Sequence, residues 1–163
     1  MKNEVNIKIQ LCREGAVLPQ YANPYDAGMD IYAAEDCMIK PGETVMVPTG
    51  IKLAIPEGYE IQIRPRSGIS SKTLLRIPNA PATIDSGFRG EVMVLLYNCA
   101  SKNPDQTYTL SDKGNPQGSY LIKKGERIAQ MVPAKVPQIQ WEQVVDVKDY
   151  GTDRGGGFGS SGV

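Results

Sequence analysis

A period of two constrains this chain more than any other feature. Val5, Ile7, Ile9 and Leu11 alternate with polar neighbours, as do Ile51, Leu53 and Ile55, and then Tyr59, Ile61 and Ile63. Successive side chains of a strand point to opposite faces, so this alternation predicts half-buried strands rather than helices. The apolar run 92–97 predicts a fully buried strand, and residues 139–147 a late one. Pro41-Gly42, Glu57-Gly58 and Lys124-Gly125 predict turns between them. Many short strands joined by Gly and Pro turns point to an all-β sandwich, barrel or jelly roll. The 163 residues suit one domain, here 1–147, and a flexible arm follows from 148 to 163.

Two segments depart from the alternation. After Ser67-Gly68, residues 69–75 predict one short helix with Ser67 near its N-cap and an anion-attracting N-terminus. Residues 103–119 are polar and carry Pro104, Gly114, Pro116 and Gly118, which predicts a long exposed hairpin or insertion.

Charge and residue usage exclude several functions. Lys plus Arg and Asp plus Glu number 18 each, so no basic excess marks a dedicated nucleic-acid or membrane-surface binder. The N-terminus alternates and lacks an apolar signal core, and the run 92–97 is far too short to span a bilayer. Histidine is absent, which removes Ser-His-Asp and Cys-His nucleophilic sites and His-bearing zinc sites. Acid–base work must fall to carboxylates, Lys, Tyr or Cys. Cys12, Cys37 and Cys99 form no CxxC and read as reduced thiols of a cytoplasmic compartment.

Five segments hold chemistry that a β-core does not need. AGMDIYA (27–33) places Asp30 among apolar residues, where a carboxylate needs a partner or a metal; a turn Asp is the plainer reading. RPRSGIS (64–70) offers Arg66, Ser67 and Gly68 as a phosphate cradle or simply as a helix start beside surface arginines. NAPATIDSGFRGEVMV (79–94) predicts a hairpin bending near Ser86-Gly87. It carries the Asn79 amide, the Phe88 ring and Asp85, the best candidate base in a histidine-free chain. GERIAQM (125–131) sets Gln130 on an apolar strand, facing either a partner or solvent. In RGGGFGSSG (154–162), five of nine residues are glycine, so alone it reads as a mobile tail. Yet Arg154 can fork onto a phosphate and Phe158 can stack on a flat ring.

In this order and spacing the five segments resemble the signature motifs of the trimeric dUTP pyrophosphatases, the dUTPases, over nearly the whole chain. The resemblance implies a jelly-roll β-barrel assembled as a homotrimer, with the C-terminal arm exchanged between subunits and each active site shared by all three. It implies hydrolysis of dUTP to dUMP and pyrophosphate, with Asp85 activating the water that attacks the α-phosphorus. That activity keeps uracil out of DNA and supplies dUMP for thymidylate synthesis. Asn79, the backbone at Thr83, Ile84 and Asp85, and Met93 would read uracil. Arg66, Ser67, Gly68 and Gln130 would face the phosphates. Asp30 would hold Mg²⁺ through water. From the arm, Arg154 and Ser160 or Ser161 would reach the phosphates, Phe158 would cover the base, and Gly159 would also contact the substrate. Phe88 stands where the family usually has Tyr under the deoxyribose, Ala82 where Gly is frequent, and Gly87 where Asp is common. A dCTP deaminase on the same barrel would need a glutamate in the substrate pocket, and Glu91 is the one within 79–94.

Overall fold

The computed structural model describes residues 4–102 and 105–156. Three sheets surround one apolar core. The first runs β1 (Lys8–Leu11), β4 (Thr44–Ala54), β8 (Glu91–Asn98), β6 (Leu75–Arg76). The second runs β2 (Met29–Tyr32), β11 (Arg127–Lys135), β5 (Tyr59–Arg64), β7 (Ala82–Ile84). The third is small: β3 (Cys37–Ile39), β10 (Ser119–Ile122) and β9 (Thr107–Thr109). One short helix, α1 (Ser67–Lys72), leaves the end of β5. This is the expected all-β, jelly-roll arrangement, and the alternating residues build it. Ile51, Leu53, Ile61 and Ile63 are all buried, while their neighbours face outward. Fully covering each such side chain contributes about 1.5–3 kcal/mol. Gly42, Gly58 and Gly125 take φ of 73°, 78° and 83° at the expected turns, a conformation that disfavours any β-carbon.

Several expectations need correction. Strand β8 is not buried on both faces: Val92, Val94 and Leu96 are buried, while Met93, Leu95 and Tyr97 are half-buried. Segment 79–94 is not a two-stranded hairpin. Its turn does fall at Ser86-Gly87, closed by Phe88 N–H donating to Asp85 O at 3.1 Å. But β7 pairs with β5 and β8 with β4, so the segment crosses between sheets. Residues 139–147 form no strand and join none of the sheet edges. Ile139, Trp141 and Val145 stand 69%, 89% and 106% exposed. The described part of 103–119 is no hairpin either: β9 and β10 pair in parallel. Its return leg packs on α1 through Asn115 N–H to Lys72 O at 3.2 Å, and Tyr120 is buried, so it is part of the body. The short helix forms with Ser67 beside its N-cap, Arg66, as expected, but it spans Ser67–Lys72 rather than 69–75 and has no side-chain cap.

Buried polar groups are satisfied. Asn98 donates through Nδ2 to Ile39 O and Gly118 O at 3.0 and 2.8 Å and accepts from Ala100 N–H. Tyr120 OH accepts from Leu74 N–H and donates to Pro116 O. Such fully paired groups fix one packing of the third sheet against the first.

Candidate active site

Three of the five segments meet. Asp30 on β2 lies in register with Gln130 on β11, and α1 begins two residues beyond β5, the next strand. The result is a polar cavity of about 350 Å³ bordered by Asp30, Arg66, Ser67, Gly68, Arg127 and Gln130. An apolar groove under β1, lined by Ile7, Ile9, Leu53 and Met131, carries none of these groups.

Asp30 has the partners its surroundings demand. Arg66 Nε donates to Oδ1 at 2.8 Å and Arg127 Nη1 to Oδ2 at 3.2 Å, with the carboxylate side chain 15% exposed. Asp26 also borders the cavity, so two guanidinium groups and two carboxylates balance in formal charge, while each guanidinium keeps N–H groups that Asp30 does not take and that suit an anion. The turn-Asp reading therefore gives way to an ion-paired one. Gln130 does not face solvent alone: Nε2 donates to Pro65 O at 3.0 Å, tying β11 to the start of the helix. A β-carbon at Gly28 would come 2.6 Å from Gln130 Oε1, so glycine there makes room for the amide. At Gly68 a β-carbon would meet nothing within 4 Å, which leaves the helix start open to the cavity.

Sequence reasoning passed over Arg127. A register shift between Arg127 and Ala129 inserts one extra residue against β2. Residues 127 and 130 sit an odd distance apart and would face opposite sides of a regular strand; the bulge brings both to the cavity. The available signal was the Arg three residues before Gln130 in GERIAQM.

Asn79, Thr83, Asp85 and Phe88 lie elsewhere and are exposed; Ile84 and Met93 are half-buried. None of the described residues hydrogen-bonds or ion-pairs with the Asp85 carboxylate. Ile84 pairs with Ile61, so Asp85 continues toward Glu60, at the far end of β5 from Arg66. Six extended residues separate positions 60 and 66, roughly 20 Å. One chain thus keeps these two groups of residues apart. Arg154 is exposed, and Phe158, Gly159, Ser160 and Ser161 lie outside the described residues.

Glu91 is already committed. Its Oε1 accepts from Arg13 Nε at 2.7 Å and from Gly50 N–H at 2.8 Å. The Arg13 hydrogen bond holds its carboxyl below the usual range. Cys12, Cys37 and Cys99 are free thiols. Burial, reinforced by Glu35 and Asp36, pushes the Cys37 thiol up, which makes it a poor nucleophile. Among the described residues no three His, Cys, Asp or Glu side chains gather as a metal site, and no helix is long and apolar enough to cross a membrane.

Fold and cavity together define a jelly-roll protein with a cation-lined polar site where two strands and a short helix meet. The dUTPase family model matches residues 14–104. A deoxyuridine 5'-triphosphate nucleotidohydrolase of Clostridium tetani is 41% identical over 160 residues, covering 98% of each chain. A mutant Staphylococcus bacteriophage 80alpha dUTPase, solved with dUpNHpp, superposes with a TM-score of 0.85 at 32% identity, covering 97% of this chain and 99% of that one. A mutant dUTPase of phage phi11 of S. aureus, whose structure details a structural Mg(II) ion, gives 0.78 at 28% identity, covering 88% and 99%. This chain belongs to the dUTPase family.

Proposed function

We propose that this protein hydrolyses dUTP to dUMP and pyrophosphate, limiting uracil in DNA and supplying dUMP for thymidylate synthesis. The observation that carries the reading is the polar cavity where Asp30, Arg66, Ser67, Gly68 and Gln130 converge with Arg127. Family membership adds the substrate: the bacteriophage 80alpha relative was solved with dUpNHpp.

In this reading the cavity receives the triphosphate. Arg66, the Ser67 hydroxyl, the open backbone at Gly68 and the second Nε2 hydrogen of Gln130 donate to its oxygens. Arg127 keeps Asp30 neutralised beside them. The segment from Asn79 to Met93 binds the nucleoside: Asn79 and the backbone at Thr83, Ile84 and Asp85 read the uracil edge, and Phe88 packs beneath the deoxyribose. Asp85 takes a proton from the attacking water. The new bond forms from water oxygen to the α-phosphorus, the bond to the bridging oxygen breaks, and pyrophosphate leaves with that oxygen. Arg154 and Ser160 or Ser161 of the arm close over the phosphates, and Phe158 and Gly159 cover the base, which excludes bulk water.

The donor set fits Mg²⁺ only in company. Asp30 is one carboxylate already shared by two cations, so the protein offers no cage for a bare ion. Mg²⁺ commonly binds through few carboxylates, several waters and substrate phosphates. Asp30 would hold it through water, and the ion would offset charge on the triphosphate.

Because the two half-sites are separated along β5, a complete site needs another copy of the chain; we propose the family's homotrimer, with arm 148–163 exchanged. A dCTP deaminase has no support here, since Glu91 is held by Arg13 and Gly50. The test is release of pyrophosphate and ammonia from dUTP, UTP, dCTP and dTTP, with and without Mg²⁺. Sharp preference for dUTP is expected; ammonia from dCTP, or equal use of UTP, overturns the reading.

A further inference from the structure

Among the described residues, glycines have two distinct reasons to be glycine. Ten take a left-handed φ, where any β-carbon is strained. Gly28, Gly68, Gly87 and Gly90 do not, so backbone conformation does not require glycine there. Gly68 and Gly87 face open space. At Gly90, by contrast, a β-carbon would lie 2.7 Å from Phe88 Cζ and 3.0 Å from Cε2. The first is closer than real β-carbons approach a neighbour, the second is tighter than most such contacts, and the third near atom, Cε1 at 3.5 Å, belongs to the same ring. Phe88 is thus the nearest neighbour of that space. Its para edge rests on the Gly90 backbone while the side chain as a whole stays 41% exposed.

We propose that Gly90 is a positioning residue for Phe88 and, through it, a determinant of the choice between deoxyribose and ribose. This rests on the reading above, in which Phe88 lies beneath the sugar. A ring seated flush on bare backbone has its height set by contact rather than by its own torsions. The two sugars differ there by one oxygen atom, so a displacement of a few tenths of an ångström in the floor alters which fits. Any β-carbon at position 90 forces the ring to turn about its side-chain torsions, toward the exposed side where the sugar would bind.

The test uses the full chain in its assembled state, with Gly90→Ala, Phe88→Ala and the double variant. Melting temperature and kcat/KM for dUTP and UTP are measured for each. Gly90→Ala is expected to lower the dUTP over UTP preference about tenfold or more and to lower the melting temperature. In the Phe88→Ala background the same change should move neither, because the space is vacant; this is the coupling that a double-mutant cycle reads. A preference kept within about twofold, or equal effects in both backgrounds, overturns the proposal. If Gly90→Ala does not fold, recovery of folding in the double variant supports the contact, and an unfolded double variant refutes it. A wild-type protein inert toward dUTP would sink the functional reading instead, while melting still tests the Phe88–Gly90 contact.

Discussion

Asp85 and Asp30 show how differently two carboxylates of one chain are used. Asp85 stands exposed on a turn with no described partner, while Asp30 is held between two guanidinium groups. Asp85→Ala should lower turnover by about 10²–10⁴-fold, the usual share of a general base, and leave binding of a nonhydrolysable dUTP analogue intact. Steady-state pyrophosphate release and calorimetry check this; near-normal turnover would remove Asp85 from the mechanism. That Asp30 needed a partner was legible, because a carboxylate among apolar residues is costly alone. That Arg127 is one of the two was not, because a bulge breaks the strand period on which the reading relied. Glu91 yields a pH prediction. Its carboxyl is depressed by Arg13, so its contribution to stability is present above the unfolded value, about 4.3, and fades as pH falls through the lower folded value. Glu91→Gln should therefore cost melting temperature at pH 7 and less and less toward pH 3, in scans across that range.

At the scale of elements, strand faces were legible and strand partners were not. The alternation in β4 and β5 specifies which side chains turn inward, and they do. It does not say whether β8 pairs with β7 or with β4, since pairing depends on edges contributed from elsewhere in the chain. The same limit applies to residues 139–147, whose apolar content suits a strand but which pair with no sheet here. The described stretch beyond β11, 136–156, is almost entirely exposed, so deleting residues 154–163 should leave melting and oligomeric state unchanged. The deletion should cut dUTP turnover by about 10²-fold or more through loss of positioning and water exclusion. Kinetics with light scattering on the truncated protein decides the point; dissociation would make the arm structural instead.

The whole molecule is where a single sequence says least. Nothing in composition or period reveals how many copies assemble, and the pointer is geometric: Arg66 and Asp85 belong to opposite ends of β5. If each site draws on more than one copy, a chain lacking Arg66 and a chain lacking Asp85 can complement each other. Arg66→Ala and Asp85→Ala, each nearly inactive, should regain a measurable fraction of activity when unfolded together and refolded as a mixture. No recovery beyond the sum of the two separate samples would mean that each site is built within one chain.

Trp141 is the sole tryptophan of the chain, and it stands 89% exposed in a segment that joins no sheet. Excited beyond the tyrosine absorption, the emission of this protein is therefore a built-in reporter on one segment, with no label. A lone chain should emit like indole in water and quench readily with iodide. Docking of the segment on a second copy should shift the emission to the blue and shield it. Dilution followed by emission would then read assembly directly, separately from any assay of turnover.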